Sequence, residues 1–145
     1  MERKFWRERE KELVDKLHIQ ATTDQLTGIF NRRVVFDALD EAMEKANESQ
    51  DREFATIMFD IDFFKQVNDT YGHAGGDAVL ISFAHLLESE ISSPNIIGRI
   101  GGEEFLAILY LNQDQAAEFC KKLIIKINDN TVNFDGIDIK ITSSG

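Results

Sequence analysis

The sequence holds one cysteine, Cys120, and one proline, Pro94. A lone cysteine excludes an intramolecular disulfide and a cysteine-based zinc site. Scarce proline, with 43% apolar and 29% charged residues, excludes a disordered, collagen-like or linker-type chain. No apolar run approaches the ~20 residues that a membrane helix needs. The first ten residues, MERKFWRERE, lack the apolar centre of a signal peptide. A reducing, cytoplasmic setting without membrane insertion is the expectation. Positive charge is also short: 16 Lys and Arg stand against 26 Asp and Glu, a net charge of −10. That field disfavours nucleic acid as a partner, because duplex binding rests on clustered Lys and Arg. A phosphate ligand held by local cations stays compatible with it. There is no internal repeat. What remains is 145 residues, enough for one domain with its own hydrophobic core.

The charge is uneven. Residues 1–18 carry six bases and five acids, which leaves −11 for the remainder. Residues 2–18 read as a helix with Trp6, Leu13 and Leu17 on one side, and Glu10 interrupts that stripe as a coiled-coil seam. ATTD at 21–24 breaks it. Asn31 reads as the N-cap of a helix to about Asn47, with Val35, Leu39, Ala42, Met43 and Ala46 as its apolar stripe. A polar loop at 47–51 leads into FATIMFDI, 54–61, a buried strand. A short helix over 63–69 and a glycine-rich loop over 71–77 precede a helix over 77–90. SSPN at 92–95 ends that helix. Ile96–Ile100 and Phe105–Leu111 flank GGEE as strands of a hairpin. Gln113–Asn128 is helical, with Ala116, Phe119, Cys120, Leu123, Ile124 and Ile127 inward. Asp135-Gly136 is a turn signal before a half-buried strand carrying Ile137, Ile139 and Ile141. Helices interleaved with strands and antiparallel hairpins make an α+β, or mixed α/β, domain with one central sheet.

Three stretches invite chemistry. Asp60 and Asp62 close a very apolar strand, where a lone carboxylate is costly unless it is paired or metal-bound. Asp62 is read as the N-cap of the helix starting at Phe63. Asp60 is read as a ligand of a hard divalent cation. The amides of Phe63 and Phe64 at that helix start form a phosphate cradle beside Lys65. Taken alone, though, the same pattern fits core phenylalanines and a surface lysine better. GGEE at 101–104 puts two adjacent acids on a sharp turn, and Asp60 and Glu103 can share a cation if their strands are neighbours. In GGDAVL, 75–80, Asp77 sits where an N-cap would. Its carboxylate also matches the N1–H and 2-amino donors of guanine, with Asn68 a further donor and acceptor.

At this point the residues resemble a known family. DQLTGIFNRR (24–33), FDIDFFKQVNDTYGHAGGD (59–77) and RIGGEEF (99–105) are similar, in order and spacing, to the motifs of GGDEF domains, the diguanylate cyclases, in the GGEEF form. The resemblance covers residues 22 to 145, and residues 1–21 resemble the signalling helix that joins such domains to an upstream sensor domain. It implies a cyclase-like, palm-like fold: a central, mostly antiparallel sheet wrapped by helices. It implies that two GTP condense to cyclic di-GMP with release of two pyrophosphates, on a homodimer that meets head to tail. By resemblance, Asp60, Glu103 and the Ile61 carbonyl hold magnesium or manganese, and Glu104 a second ion. Glu103, Asp60 and Lys65 are the catalytic set, with Glu103 or a water activating the ribose 3′-hydroxyl. Phe63, Phe64 and Lys65 hold the triphosphate, Asn68 and Asp77 read guanine, and Leu26 lines the base pocket.

The sequence departs from the family pattern in places. Ser92, Ser93, Pro94 and Asn95 stand where many members carry an RxxD product-inhibition site, so feedback through that site is not expected. Residue 100 is Ile where Tyr is frequent. The last residues, IKITSSG, look like the family's late strand, without the usual following helix with its phosphate-binding Lys. A truncated domain is therefore the expectation. The alternative reading is a non-catalytic GTP-binding, regulatory or dimerisation module.

Overall fold

The computed structural model describes residues 2–49 and 52–145. Residues 50 and 51 of the expected polar loop lie outside that description. The first helix, α1 (Glu2–Thr22), buries none of its side chains. Thr22 and Thr23 close it by donating their hydroxyls to the carbonyls of His18 and Ile19 at 2.8 and 2.6 Å. Helix α2 (Arg32–Glu48) starts as its sequence predicts: the Asn31 side chain accepts from the Val34 amide. Val35 and Ala42 face inward, whereas Met43, expected in the stripe, is 50% exposed.

Strand β1 (Ala55–Ile61) corrects one expectation. It is not buried on both faces: Ile57, Phe59 and Ile61 point inward, while Thr56, Met58 and Asp60 are exposed. The glycine-rich loop over 71–77 is also corrected. Helix α3 (Phe64–Glu90) is two helical segments that meet at Gly72, whose backbone (φ 76°, ψ 174°) is not helical, so the loop shrinks to that one residue and 73–77 are already helix. Gly75 and Gly76 serve close approach. A Cβ at Gly75 would strike the Tyr71 side chain, and one at Gly76 would strike the Asn68 carboxamide. Asp77 accordingly lies inside the helix and does not cap it.

Strands β2 (Ile96–Arg99) and β3 (Glu104–Leu109) form the expected hairpin around GGEE. Helix α4 (Gln113–Asp129) opens with a capping box between Asn112 and Gln115, which satisfies two otherwise orphaned amides. Strands β4 (Thr131–Phe134) and β5 (Ile137–Lys140) meet across Asp135-Gly136, both at positive φ, as a type I′ turn requires. They make a separate two-stranded ribbon, and Ile137 is 50% exposed. A short strand β6 (Ser143–Ser144) completes the main sheet.

That sheet has the order β2-β3-β1-β6, with every pair antiparallel. The core lies on both of its faces. On one, Phe59, Phe83, Leu87, Phe105 and Ile127 join the sheet to α3 and α4. On the other, Val35, Ala42, Ile100, Leu106 and Ile108 seat α2. β3 is thus covered on both sides, while β1 keeps one face open beside its acidic end. Among the described residues, no helix is long and apolar enough to cross a membrane.

Candidate active site

The β1–β3 register decides the site. Asp60 pairs directly with Glu104, so two carboxylates share the open face of the sheet. Glu103 lies next in the turn. Burial pushes its carboxyl above the ordinary glutamate range, and the charges of Asp60 and then Glu104 push it further. Of the three acids expected to hold a cation, Glu103 therefore feels the charge of the other two. Among the described residues, no three His, Cys, Asp or Glu side chains converge as a ready-made metal cage. The donor chemistry nonetheless fits a hard divalent ion, because every candidate ligand is an oxygen and the mutual repulsion is what a cation would relieve. Ile61, whose carbonyl the resemblance adds, ends β1 with its side chain buried and pairs with Ser143.

Immediately beyond the acids the chain enters α3. Phe63 takes the N-cap place in the left-handed region (φ 57°, ψ 33°), and no side chain caps the helix. Its first amides, including that of Phe64, thus lack an intrahelical acceptor and suit an anion. Lys65 is exposed on the same turn. Asp62 is not the N-cap that its sequence suggests. Its carboxylate accepts from Thr142 Oγ1 and Ser144 Oγ instead.

Farther along α3, across the Gly72 kink, the Asn68 carboxamide lies against the bare Cα of Gly76, the residue before Asp77. Of the two residues expected to read a base, Asn68 thus reaches the backbone next to the other, Asp77. Leu26 is half-buried and packs on the same core cluster as Phe64. The acidic end of the sheet is open: Asp60 and Glu104 are exposed and Glu103 half-buried, and Asp77 on α3 is exposed as well.

Two arginines, which sequence reasoning did not single out, fasten the turn. Arg99 Nε donates to the carbonyls of Gly101 and Gly102 at 3.1 and 3.0 Å, and Nη2 to Gly102 at 2.8 Å. Its Nη1 reaches Asp24 Oδ2 at 3.2 Å. Arg32 Nη1 donates to the Ile100 carbonyl at 2.9 Å. Three consecutive carbonyls before Glu103 are thus held by guanidinium groups. An arginine before a glycine pair was the available signal, but the pairing with Asp24 spans 75 residues and leaves no local pattern.

Burial alone would raise the Asp24 carboxyl. Bonds from the Thr27 hydroxyl and amide, and from Arg99, outweigh it and hold the group below its ordinary value. A depressed carboxyl contributes stability above its unfolded pKa and loses it as pH falls toward the folded value. The stability gap between the native chain and Asp24→Asn should be constant down to about pH 5 and shrink below about pH 4. Urea unfolding of both at pH 7 and pH 3.5 checks this, and an undiminished gap at the lower pH would contradict it.

At the position of the missing inhibition site, Asn95 has a structural task. Its Oδ1 accepts from the Tyr110 amide at 2.9 Å, joining the start of β2 to the end of β3.

The fold and its acidic turn define a cyclase-type α+β domain. The chain belongs to the GGDEF domain family: the family described as "Diguanylate cyclase, GGDEF domain" matches residues 21–144. Diguanylate cyclase A of Treponema denticola is 36% identical over 126 residues, covering 85% of this chain and 34% of that protein. Response regulator PleD of Caulobacter vibrioides is 45% identical over 89 residues, 61% of this chain and 19% of its own length. Among solved structures, the coiled coil and GGDEF domain of DgcB from Caulobacter crescentus, in complex with c-di-GMP, superposes with a TM-score of 0.88. Identity there is 28%, and the match covers 99% of this chain and 76% of that one. Diguanylate cyclase SiaD of Pseudomonas aeruginosa, in complex with its activator SiaC, gives 0.81 at 32% identity, over 97% and 54% of the two chains. The chain spans 16–34% of the length of the curated relatives it matches here.

Proposed function

We propose that this domain condenses two GTP into cyclic di-GMP, with two copies of the chain meeting head to tail and each presenting one nucleotide. The observation that carries the reading is the direct Asp60–Glu104 pair with Glu103 beside it, a few residues before an uncapped helix start. Acids and free amides side by side are what a cation-bound triphosphate needs. An open site agrees with a reaction that needs a second nucleotide delivered from outside.

In each half-reaction the 3′-oxygen of one GTP bonds to the α-phosphorus of the other. The bond from that phosphorus to the bridging oxygen breaks, and pyrophosphate leaves with the electron pair. The hydroxyl proton passes to Glu103 or to a water that Glu103 holds. The Phe63 and Phe64 amides with Lys65 bind and orient the phosphates. Asn68 and Asp77 read the guanine edge, and Leu26 lines the base pocket. The Asp77 carboxylate accepts from two guanine donors, whereas adenine would present an acceptor at N1. Asp60, the Ile61 carbonyl, Glu103 and Glu104 would hold Mg2+ or Mn2+. Such an ion supplies charge neutralisation of the triphosphate when bound.

Residues 1–21 serve in this reading as a linker helix, and residues 22–145 as the catalytic domain. Helix α1, which buries no side chain and leaves Trp6 at 65% and Leu17 at 63% exposure, suits a helix that pairs with a second copy or carries the signal of a sensor domain.

Incubating concentrated protein with GTP and Mg2+, followed by mass spectrometry of the nucleotides, tests the proposal. Cyclic di-GMP together with pyrophosphate is expected. No dinucleotide, with GTP still bound, would overturn catalysis by this chain and leave a nucleotide-binding module.

A further inference from the structure

Asp62 is freed from capping and placed elsewhere. Its two oxygens accept separate hydroxyls, Thr142 Oγ1 at 2.8 Å and Ser144 Oγ at 2.6 Å. Its amide donates to the Thr142 carbonyl at 2.9 Å. The hydroxyl between those two, Ser143 Oγ, donates to the Asp60 carbonyl at 2.9 Å. Three successive hydroxyl residues therefore grip the chain from Asp60 to Asp62. The next residue, Phe63, holds a positive φ of 57° although it is not glycine, and its ring is 74% exposed. A left-handed conformation is disfavoured for an L side chain and persists where the surroundings enforce it. The exposed ring gives little burial in return, so the backbone supplies the enforcement: the Val67 amide donates to the Phe63 carbonyl at 3.2 Å from the helix side, and the other hold is the backbone on its N-terminal side. That backbone is the segment which Asp62 anchors.

The charge of Asp62 sharpens the question. A carboxylate next to a polyphosphate site repels the ligand, so this one needs a compensating role. Accepting two hydroxyls at once is a role for which a carboxylate has the right pair of oxygens. We propose that Asp62 is a positioning residue for the triphosphate. It holds the strained Phe63 turn so that the Phe63 and Phe64 amides and Lys65 face the ligand as one cradle, without itself touching the nucleotide. The inference rests on the nucleotide reading above.

The test is calorimetric titration of α,β-methylene-GTP with Mg2+, a nucleotide that cannot release pyrophosphate, so binding is read apart from turnover. Asp62→Ala should weaken binding about tenfold, as expected for the loss of charge-assisted bonds that hold a ligand-facing turn. Asp62→Asn should keep most of the affinity, because its carbonyl accepts one hydroxyl and its amide donates to the other. In Asp62→Ala/Phe63→Gly most of the lost affinity should return, because glycine adopts positive φ without needing enforcement. A purely structural role would not produce that rescue. Should Asp62→Ala fail to fold, Thr142→Val removes one hydroxyl and keeps the charge, and a few-fold loss is expected from it. Native affinity in Asp62→Ala, or no recovery in a folded double variant, would overturn the inference while leaving the nucleotide reading intact. If the native chain itself did not bind the analogue, the nucleotide reading would fall and this inference with it.

Discussion

Glu103→Gln is expected to lower cyclic di-GMP formation by about two to three orders of magnitude while the fold is kept, the scale seen when one preorganised charge at a reacting centre is removed. The substitution is nearly isosteric and sits on a turn whose backbone Arg99 and Arg32 hold independently of its side chain. What disappears is one negative oxygen beside Asp60 and Glu104. The glutamine keeps an acceptor but neutralises the charge that would draw a divalent cation, and it cannot take the proton of a 3′-hydroxyl. Removing that charge also ends the cost of burying it, and then the repulsion from Asp60 and Glu104, which together raise the Glu103 carboxyl. Thermal stability should therefore hold or rise slightly. Product formation measured by mass spectrometry, with a melting curve of the same sample, tests both halves. Unchanged turnover in a folded variant would show that Glu103 holds neither the ion nor the proton.

The largest loss of stability should come from Phe83→Ala. Phe83 is fully buried on α3, and its ring meets Phe105 of β3 edge-on, with centroids 5.0 Å apart. The contact joins α3, which carries Asn68 and Asp77, to β3, which carries Glu104. Truncation deletes a whole ring where the neighbours are also buried and close-packed. The cost is about 3–5 kcal/mol, a transfer term plus the cavity that remains. Against a typical domain stability of about 5–15 kcal/mol this is a substantial share, worth roughly 10 °C in melting temperature. Urea denaturation of the two proteins provides the comparison. A loss below about 1 kcal/mol would mean that the surrounding side chains collapse into the space and that the α3–β3 contact is not the main support.

Much of the molecule is legible along the chain. The 3.6-residue spacing of Val35 and Ala42, and of Ala116, Leu123 and Ile127, marks α2 and α4, and Asn31 marks the start of α2 by its side-chain chemistry. Asp135-Gly136 announces its hairpin because both residues tolerate positive φ. Where structure and sequence differ, a residue type serves a purpose other than its commonest. Gly75 and Gly76 read as loop, yet they lie in a helix where Tyr71 and Asn68 leave no room for a Cβ. Asp62 reads as an N-cap, yet its carboxylate goes to hydroxyls some 80 residues away. β1 reads as wholly buried from its apolar residues, yet Met58 is 52% exposed, because apolarity says how a side chain partitions and not which faces of a sheet are covered.

The candidate site divides along the same line. The ingredients are written along the chain: acids at the end of an apolar strand, acids on a glycine turn, amides at a helix start, and Asn68 and Asp77 in one stretch. These follow from local spacing and from the chemistry of each side chain. Their partners are set only when the chain has folded. The antiparallel register puts Asp60 opposite Glu104, Arg99 reaches Asp24, and Thr142 and Ser144 hold Asp62. The physical reason is range. Backbone geometry and capping act within a few residues, so their signals are written next to one another. Carboxylates that repel or are bonded across strands meet only after the sheet has chosen its register, and that choice is made by the packed core on both of its faces.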